Sequence, residues 1–463
     1  MLLPLMRRVA KPLSLIIVPL MVTLVAYIGR LSLRQLIALF IFSFEITGIT
    51  LYWEHKLAFA FMGLLLFFVT GVLDLTHFVK FVYIDVIFFL MCMMIVVWYL
   101  EDRGFFEYLV EILVERIGRN AYKLTVTIML LSAVFSSLVG VVTTSLFMVP
   151  MVLRLALSFR VNPIPFILMC VFSANIGSSA TLMGNPVGVV LALRAHLTFH
   201  EFLRWATPIT TLSLIVTILV CMRLFRRHIE ALNRNLKVVR AEEGREEESI
   251  EKREVLKCWA LLISVVALVV MHDNIEAVLN LEEGVMLIGS ALFGATMVLF
   301  LERERIRGIL ESGIDWYVLL FFGFLFASIG ALEYAGITEI LAENIGRICG
   351  GDLGQLLVTS AFTCGILSAL MDNVLAITLF VPVIHSLQKL GVEVYPLWWG
   401  ILFASTYFGN FTVIASTANI IAVSLLESRK VGVITFTEWI KYGALVSLVS
   451  LSTALIMLYI QVI

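Results

Sequence analysis

The chain has 463 residues, 61% of them hydrophobic and 14% charged, with a mean hydropathy of +1.02 and a formal net charge of −1. That much apolar surface excludes a soluble domain of this length, and the balanced charge gives no support for a nucleic-acid partner. The six cysteines (Cys92, Cys170, Cys221, Cys258, Cys349 and Cys364) form no Cys-x-x-Cys pair and lie mostly in or beside apolar segments, so they read as packing residues.

In chain order, apolar stretches able to meet a bilayer fall near 13–29, 33–52, 57–73, 83–100, 163–193, 205–222, 258–271, 284–301, 315–332, 396–426 and 441–461. The stretch at 258–271 is short. Arg7, Arg8 and Lys11 precede the first stretch, but no small-residue cleavage site follows it, so a retained helix is predicted. Residues 1–80 supply three helices with no visible counterpart in the chain and are predicted to form scaffold; Glu45, in the second of them, is a candidate coupling residue. Residues 81–222 and 313–463 form two related units. Between them lie a cytosolic linker at 223–257, with ten basic and eight acidic residues, and two connecting helices at 258–312.

The relation between the units is explicit. EILVERIGR at 111–119 returns as EILAENIGR at 339–347 with seven of nine residues identical. SSLVGVVTTSLFMVPMV (136–152) lies on SALMDNVLAITLFVPVI (368–384) at an offset of 232, and TFHEF (198–202) on TFTEW (435–439). Each copy has the same order: a helix, an amphipathic stretch (104–119; 334–347), two apolar arms joined at a polar break (122–138 and 143–158; 355–370 and 374–388), a helix with a polar middle, and a closing helix.

Positive charge sets the topology, because cytoplasmic loops are enriched in Lys and Arg. A cytoplasmic N-terminus, about 11 crossings and two non-crossing hairpins place 26 of the 33 basic residues inside, with the C-terminus outside. Asp85 then lies outside and Asp315 inside, so the copies are inserted in opposite directions. Two full crossings per pair of arms is the other arrangement. Re-entrant hairpins are preferred because they keep the charge asymmetry, and because lipid tolerates non-helical backbone only where protein or an aqueous cavity encloses it. The predicted fold is an all-α polytopic membrane protein with inverted repeats and broken helices, the sequence-level sign of a transporter.

Four segments should interrupt helices within the membrane: SSLVGVVTT (136–144), SANIGSSATLMGNP (173–186), SALMDN (368–373) and TYFGNFTVIASTAN (406–419). Their hydroxyl and amide side chains can cap the half-helices that follow. Thr143 or Thr144 is the expected cap of one arm, Asn373 of its counterpart, and Asn185 before Pro186 marks a helix start. Helix N-termini exposed there attract anions, and unwound carbonyls coordinate cations. Candidate binding residues are Ser136, Ser137, Thr143, Thr144, Asn175, Gly177, Ser178, Thr181, Asn185, Asp372, Asn373, Gly409, Asn410, Thr412, Ser416 and Asn419. Asp372 is the one charged residue in the breaks. A carboxylate at that depth costs roughly 2.5–3.5 kcal/mol, so it is the expected coupling group, although capping α-helical N–H groups is its simpler use. His196 and His200 have metal-ligand spacing, but only Glu201 is near, and no metal is expected.

At these breaks the chain resembles the ion transporter superfamily, which includes arsenite and antimonite permeases, citrate permeases, D-type sodium/proton antiporters and the melanosomal P protein. SALMDNVLAITLFVPVI is similar to its hairpin motif, and NIGSSATLMGNP and GNFTVIASTAN to its two glycine-containing breaks. The resemblance covers about 280 residues. It implies a scaffold and a moving transport domain, alternating access, a small ion, oxyanion or carboxylate substrate of arsenite or citrate type, H+ or Na+ as coupling ion, no further cofactor, and a homodimer in the cell membrane. Relatives often carry Asp-Asn where this chain has Gly140 and Val141, and Asp where it has Asn185, which removes two acids that sodium/proton exchange, the alternative activity, would use. A channel and an intramembrane enzyme are the rival classes. The breaks hold no His, Cys or paired-acid cluster for an enzyme. No phosphate-binding loop for direct ATP use is present, which leaves a separate partner ATPase as the only such route.

Overall fold

The structure is a computed structural model describing residues 2–109, 112, 120–238, 252–429, 431–432 and 434–462, and every described element is helical. The EILVERIGR motif, apart from Ile112, and the acidic part of the linker, 239–251, lie outside the described residues. Helices α1 (Leu2–Ile28), α2 (Leu33–Leu51), α3 (Lys56–Val69) and the short α4 (Leu75–Phe81) come first. The first copy comprises α5 (Ile84–Asp102), α6 (Ala121–Val139), α7 (Val141–Ser158), α8 (Ile164–Gly177), α9 (Pro186–Arg194) and α10 (Thr207–Leu224). After α11 (Arg226–Val238), α12 (Lys252–Leu279) and α13 (Val285–Leu301), the second copy runs through α14 (Trp316–Tyr334), α15 (Ile337–Cys349), α16 (Leu353–Leu370), α17 (Asn373–Lys389), α18 (Tyr395–Phe408), α19 (Thr417–Ser428) and α20 (Phe436–Val462).

Nine of the described helices are long and apolar enough to cross a bilayer alone. At 14 residues α8 is about 21 Å long and falls short; it spans only together with α9 across the break. The stretch read as short at 258–271 is the middle of α12, 28 residues long, because the helix continues through polar residues on both sides of the apolar run. The beginning of the charged linker is also ordered. α11 packs on α6, burying Ile229, Leu232 and Leu236, and Asn235 Nδ2 donates to the Phe159 carbonyl at 2.8 Å.

The two copies pack by matching rules. α6 lies on α8 as α16 lies on α18, α8 on α10 as α18 on α20, and the closing helices α10 and α20 meet each other. The second arm of each hairpin crosses to the other copy: α7 packs on α19, and α17 on α9. The copies are inverted. Tyr83, just before α5, shares a cavity with Glu333 at the end of α14, while Trp98 near the end of α5 faces Gly313 just before α14, so α5 and α14 run in opposite directions.

The symmetry reaches further than the sequence shows. α3 packs on α14 as α13 packs on α5, and the pairs α2–α3 and α12–α13 are themselves packed. Gly63 on α3 makes room for a side chain of α2 (Glu45), and Gly294 on α13 for one of α12 (Val265). Helices 33–69 thus do have a counterpart, in 252–301. One departure from symmetry is clear: α9 packs on α5 and α17 on α14, whereas α19 on α14 and α7 on α5 make no comparable contact.

Candidate functional site

Each hairpin turns within the membrane-spanning depth of its own broken helix. The first turn is one residue long, since α6 ends at Val139, α7 begins at Val141, and Gly140 between them has φ +93° and ψ 151°. Glycine alone reaches that conformation without strain. The N–H of Val141 donates to the Gly184 carbonyl at 3.0 Å, and the Thr181 hydroxyl to the Ser137 carbonyl. Beyond this contact α9 continues for nine residues, about 14 Å, so the tip stops well short of the far end. The second copy repeats the bond at the same register: Thr412 Oγ1 donates to the Ala369 carbonyl at 2.6 Å. Position 137 plus the offset of 232 is 369.

The caps differ from those expected at three positions. Thr143 and Thr144 do not start α7; Gly140 does, with no side-chain cap. Thr143 is half-buried in the first turn, and the buried Ser136 and Thr144 hydroxyls have no hydrogen-bond partner among the described residues. In the second hairpin Asp372, not Asn373, is the cap, its Oδ1 accepting from the Val374 N–H at 2.9 Å, because Asp372 is extended (φ −162°) and Asn373 is already helical and buried. Asn185 starts α9 as a cap, accepting from Val187 N–H at 2.6 Å and Gly188 N–H at 3.3 Å, with Pro186 next. Ser416 precedes α19 without capping it.

The broken helices meet through a buried amide network. Asn175 Nδ2 donates to Asn410 Oδ1 at 2.8 Å and to Asn419 Oδ1 at 2.9 Å, and its Oδ1 accepts from the Ser416 hydroxyl at 2.9 Å. Asn419 Nδ2 holds the unwound carbonyls of Gly409 and Thr412 at 2.6 and 2.8 Å. On the first-copy side Asn185 Nδ2 donates to Ser178 Oγ at 2.8 Å, and Ser178 donates onward to the Asn175 carbonyl at 2.7 Å. Gly177 lies directly against the Ala133 backbone of α6, where a Cβ has no space. Unwound backbone at this depth must find partners within the protein, and the asparagines supply them.

Other residues lie apart from this network or were absent from the sequence reading. Glu45 is fully buried between α2 and α3, with Ser328 of α14 beside it, and belongs to the packing of those helices rather than to the four breaks. His196 and His200 face different carboxylates, Glu283 at 3.1 Å and Asp273 at 3.9 Å. Two functional candidates were missed. Lys56 is buried at the start of α3, its ammonium 4.5 Å from the ring centroids of both Trp53 and Phe321. Trp439 Nε1 donates to the Asn410 carbonyl at 2.9 Å. The Phe-to-Trp change in the TFHEF/TFTEW match was a signal for the latter.

Two inverted copies, each with a hairpin and an interrupted helix closing on a buried polar centre, are the architecture of a multi-pass membrane transporter. The chain belongs to the citrate transporter family, whose sequence model matches residues 39–288 and 277–462. It is similar to an uncharacterized transporter of Mycobacterium tuberculosis, 32% identical over 385 residues covering 81% of this chain and 86% of the relative. An uncharacterized transporter of Synechocystis is 24% identical over 424 residues (86% and 91%), and the human P protein 21% identical over 446 residues (80% and 52%).

Proposed function

We propose that this protein is a secondary active transporter that carries a small oxyanion or carboxylate, of arsenite or citrate type, by alternating access, with H+ or Na+ coupled through Asp372. One observation carries the substrate class. Of the four half-helices that begin at the breaks, α9 and α17 have their N-termini filled by the Asn185 and Asp372 side chains, while α7 and α19, which pack on each other, have no side-chain cap. Their first-turn N–H groups, at Val142 and Thr143 and at Thr417 and Ala418, are donors without side-chain acceptors, beside the unpartnered hydroxyls of Ser136 and Thr144. Helix N-termini with free donors favour an anion. Asp372, buried and fixed as a cap, is the carboxylate placed to take up a proton or a sodium ion.

The reading includes a cytoplasmic N-terminus, an extracytoplasmic C-terminus and a dimer formed through scaffold helices. Purified protein in liposomes, assayed for uptake of arsenite, citrate and sodium with and without an imposed pH gradient, tests it. Saturable uptake of one of the two anions, accelerated by the gradient, is expected. Sodium flux driven by the pH gradient without either anion would instead identify sodium/proton exchange, and unsaturable conductance a channel.

A further inference from the structure

Each copy carries an aspartate at the start of its first helix and an arginine at the end of its broken helix. They are Asp85 and Arg194 in copy one, and Asp315 and Arg429 in copy two, at offsets of 230 and 235 that bracket the 232 of the hairpins. The two pairs are in different conditions. Arg194 is ion-paired with Asp85, and its guanidinium lies 3.8 Å from the centroid of the Tyr83 ring. Both charges are about three-quarters withdrawn from solvent, beside a cavity of about 150 Å³ lined by Lys80, Tyr83, Arg194, Glu333 and His385. At the opposite end Asp315 accepts the Val318 N–H of its own helix, and among the described residues neither it nor the exposed Arg429 makes an ion pair. The packing follows the same division, because α9 is seated on α5 while α19 is not seated on α14.

We infer that Asp85–Arg194 and Asp315–Arg429 are reciprocal latches, one at each end of the molecule, and that the conformational exchange of the two copies breaks the first pair and forms the second. This rests on the alternating-access reading above. In an inverted repeat the opposite state is reached when each copy takes up the arrangement of the other, so a contact made by one pair predicts the same contact for its equivalent. A partly exposed ion pair is weak enough to open within each cycle. Equivalent latches at both ends keep the two states close in free energy, which a cycling carrier needs. Asp85, Arg194, Asp315 and Arg429 therefore set the state of the transporter without touching its substrate.

The test uses the full-length protein in liposomes, with cysteines introduced at Asp85 and Arg194 in one variant and at Asp315 and Arg429 in another, cross-linked by a short bis-maleimide. The six native cysteines are buried. Slow linking at 315/429, where the intact Asp85–Arg194 pair holds the observed state, is expected. Adding Arg194→Gln to the 315/429 variant should raise its linking rate about threefold to fivefold, the population shift that loss of one such ion pair produces. Size-exclusion elution unchanged from the parent protein shows that each variant is folded. If 315/429 never links in either background while a 85/194 link abolishes anion uptake, the reciprocal latch is overturned and alternating access stands. Full uptake in the 85/194-linked protein overturns both.

Discussion

Asn175 and Asn419 are separated by 244 residues of sequence, and the amide nitrogen of the first donates to the amide oxygen of the second at 2.9 Å. Through that bond and its neighbour to Asn410, the interrupted helix of one copy holds the interrupted helix of the other. A side chain with two donors at position 175 is what the geometry requires. Asn175→Asp keeps the shape but turns those donors into acceptors facing acceptors, with a buried charge. The expected cost is about 3 kcal/mol, seen as a lower thermal midpoint in detergent. An unchanged midpoint would show that the network does not hold the breaks together.

Gly140 is a second point of dependence. A side chain at φ +93° and ψ 151° is strained irrespective of the open space around it, at about 1–3 kcal/mol. Gly140→Ala should lower the thermal midpoint and anion uptake together. Gly391→Ala, also at positive φ but in the connection after α17, serves as the comparison: a loss of midpoint there with retained uptake is expected.

Asp372→Asn preserves a good N-cap, so α17 should persist. Uptake driven by a pH or sodium gradient should fall to the rate measured without one, while exchange of anion across the membrane at equal concentrations continues. Full gradient-driven uptake in the variant would remove Asp372 from the coupling role.

Asp74 offers a test away from the membrane spans. Its carboxylate accepts from the His77 N–H at 2.8 Å and contacts His77 Nδ1 at 2.7 Å, and these bonds hold it below the usual carboxylate range. A depressed value in the folded state stabilises α4 above the unfolded aspartate value, about 3.9, and that contribution is lost as pH falls through the lower folded value. Hydrogen exchange in 75–81, corrected for intrinsic rates, should therefore quicken between about pH 5 and pH 2 relative to α2. Asp74→Asn, which caps without titrating, should abolish that difference.

The breaks were legible because Gly, Pro, Asn and hydroxyl residues within apolar runs have few other uses, and Asn185-Pro186 marks a helix start unambiguously. The turn at Gly140 was not located to the residue, since Thr143 and Thr144 are equally good caps on paper and only the backbone conformation excludes them. The equivalence of α2–α3 to α12–α13 was hidden for another reason. Helices facing lipid and one another are held mainly to be apolar, so identity is lost while a small residue such as Gly63 or Gly294 still marks the crossing. Lys56 falls between the apolar stretches 33–52 and 57–73, and nothing in the sequence announces that Trp53 and the distant Phe321 enclose it.

The crossed packing of α7 on α19 and α17 on α9 has a consequence for how such a chain is made. When the first copy leaves the ribosome, the partners of Asn175 have yet to be synthesised, Asn410 being 235 residues away. The first half must wait in the membrane with its centre unsatisfied until the second arrives the other way up.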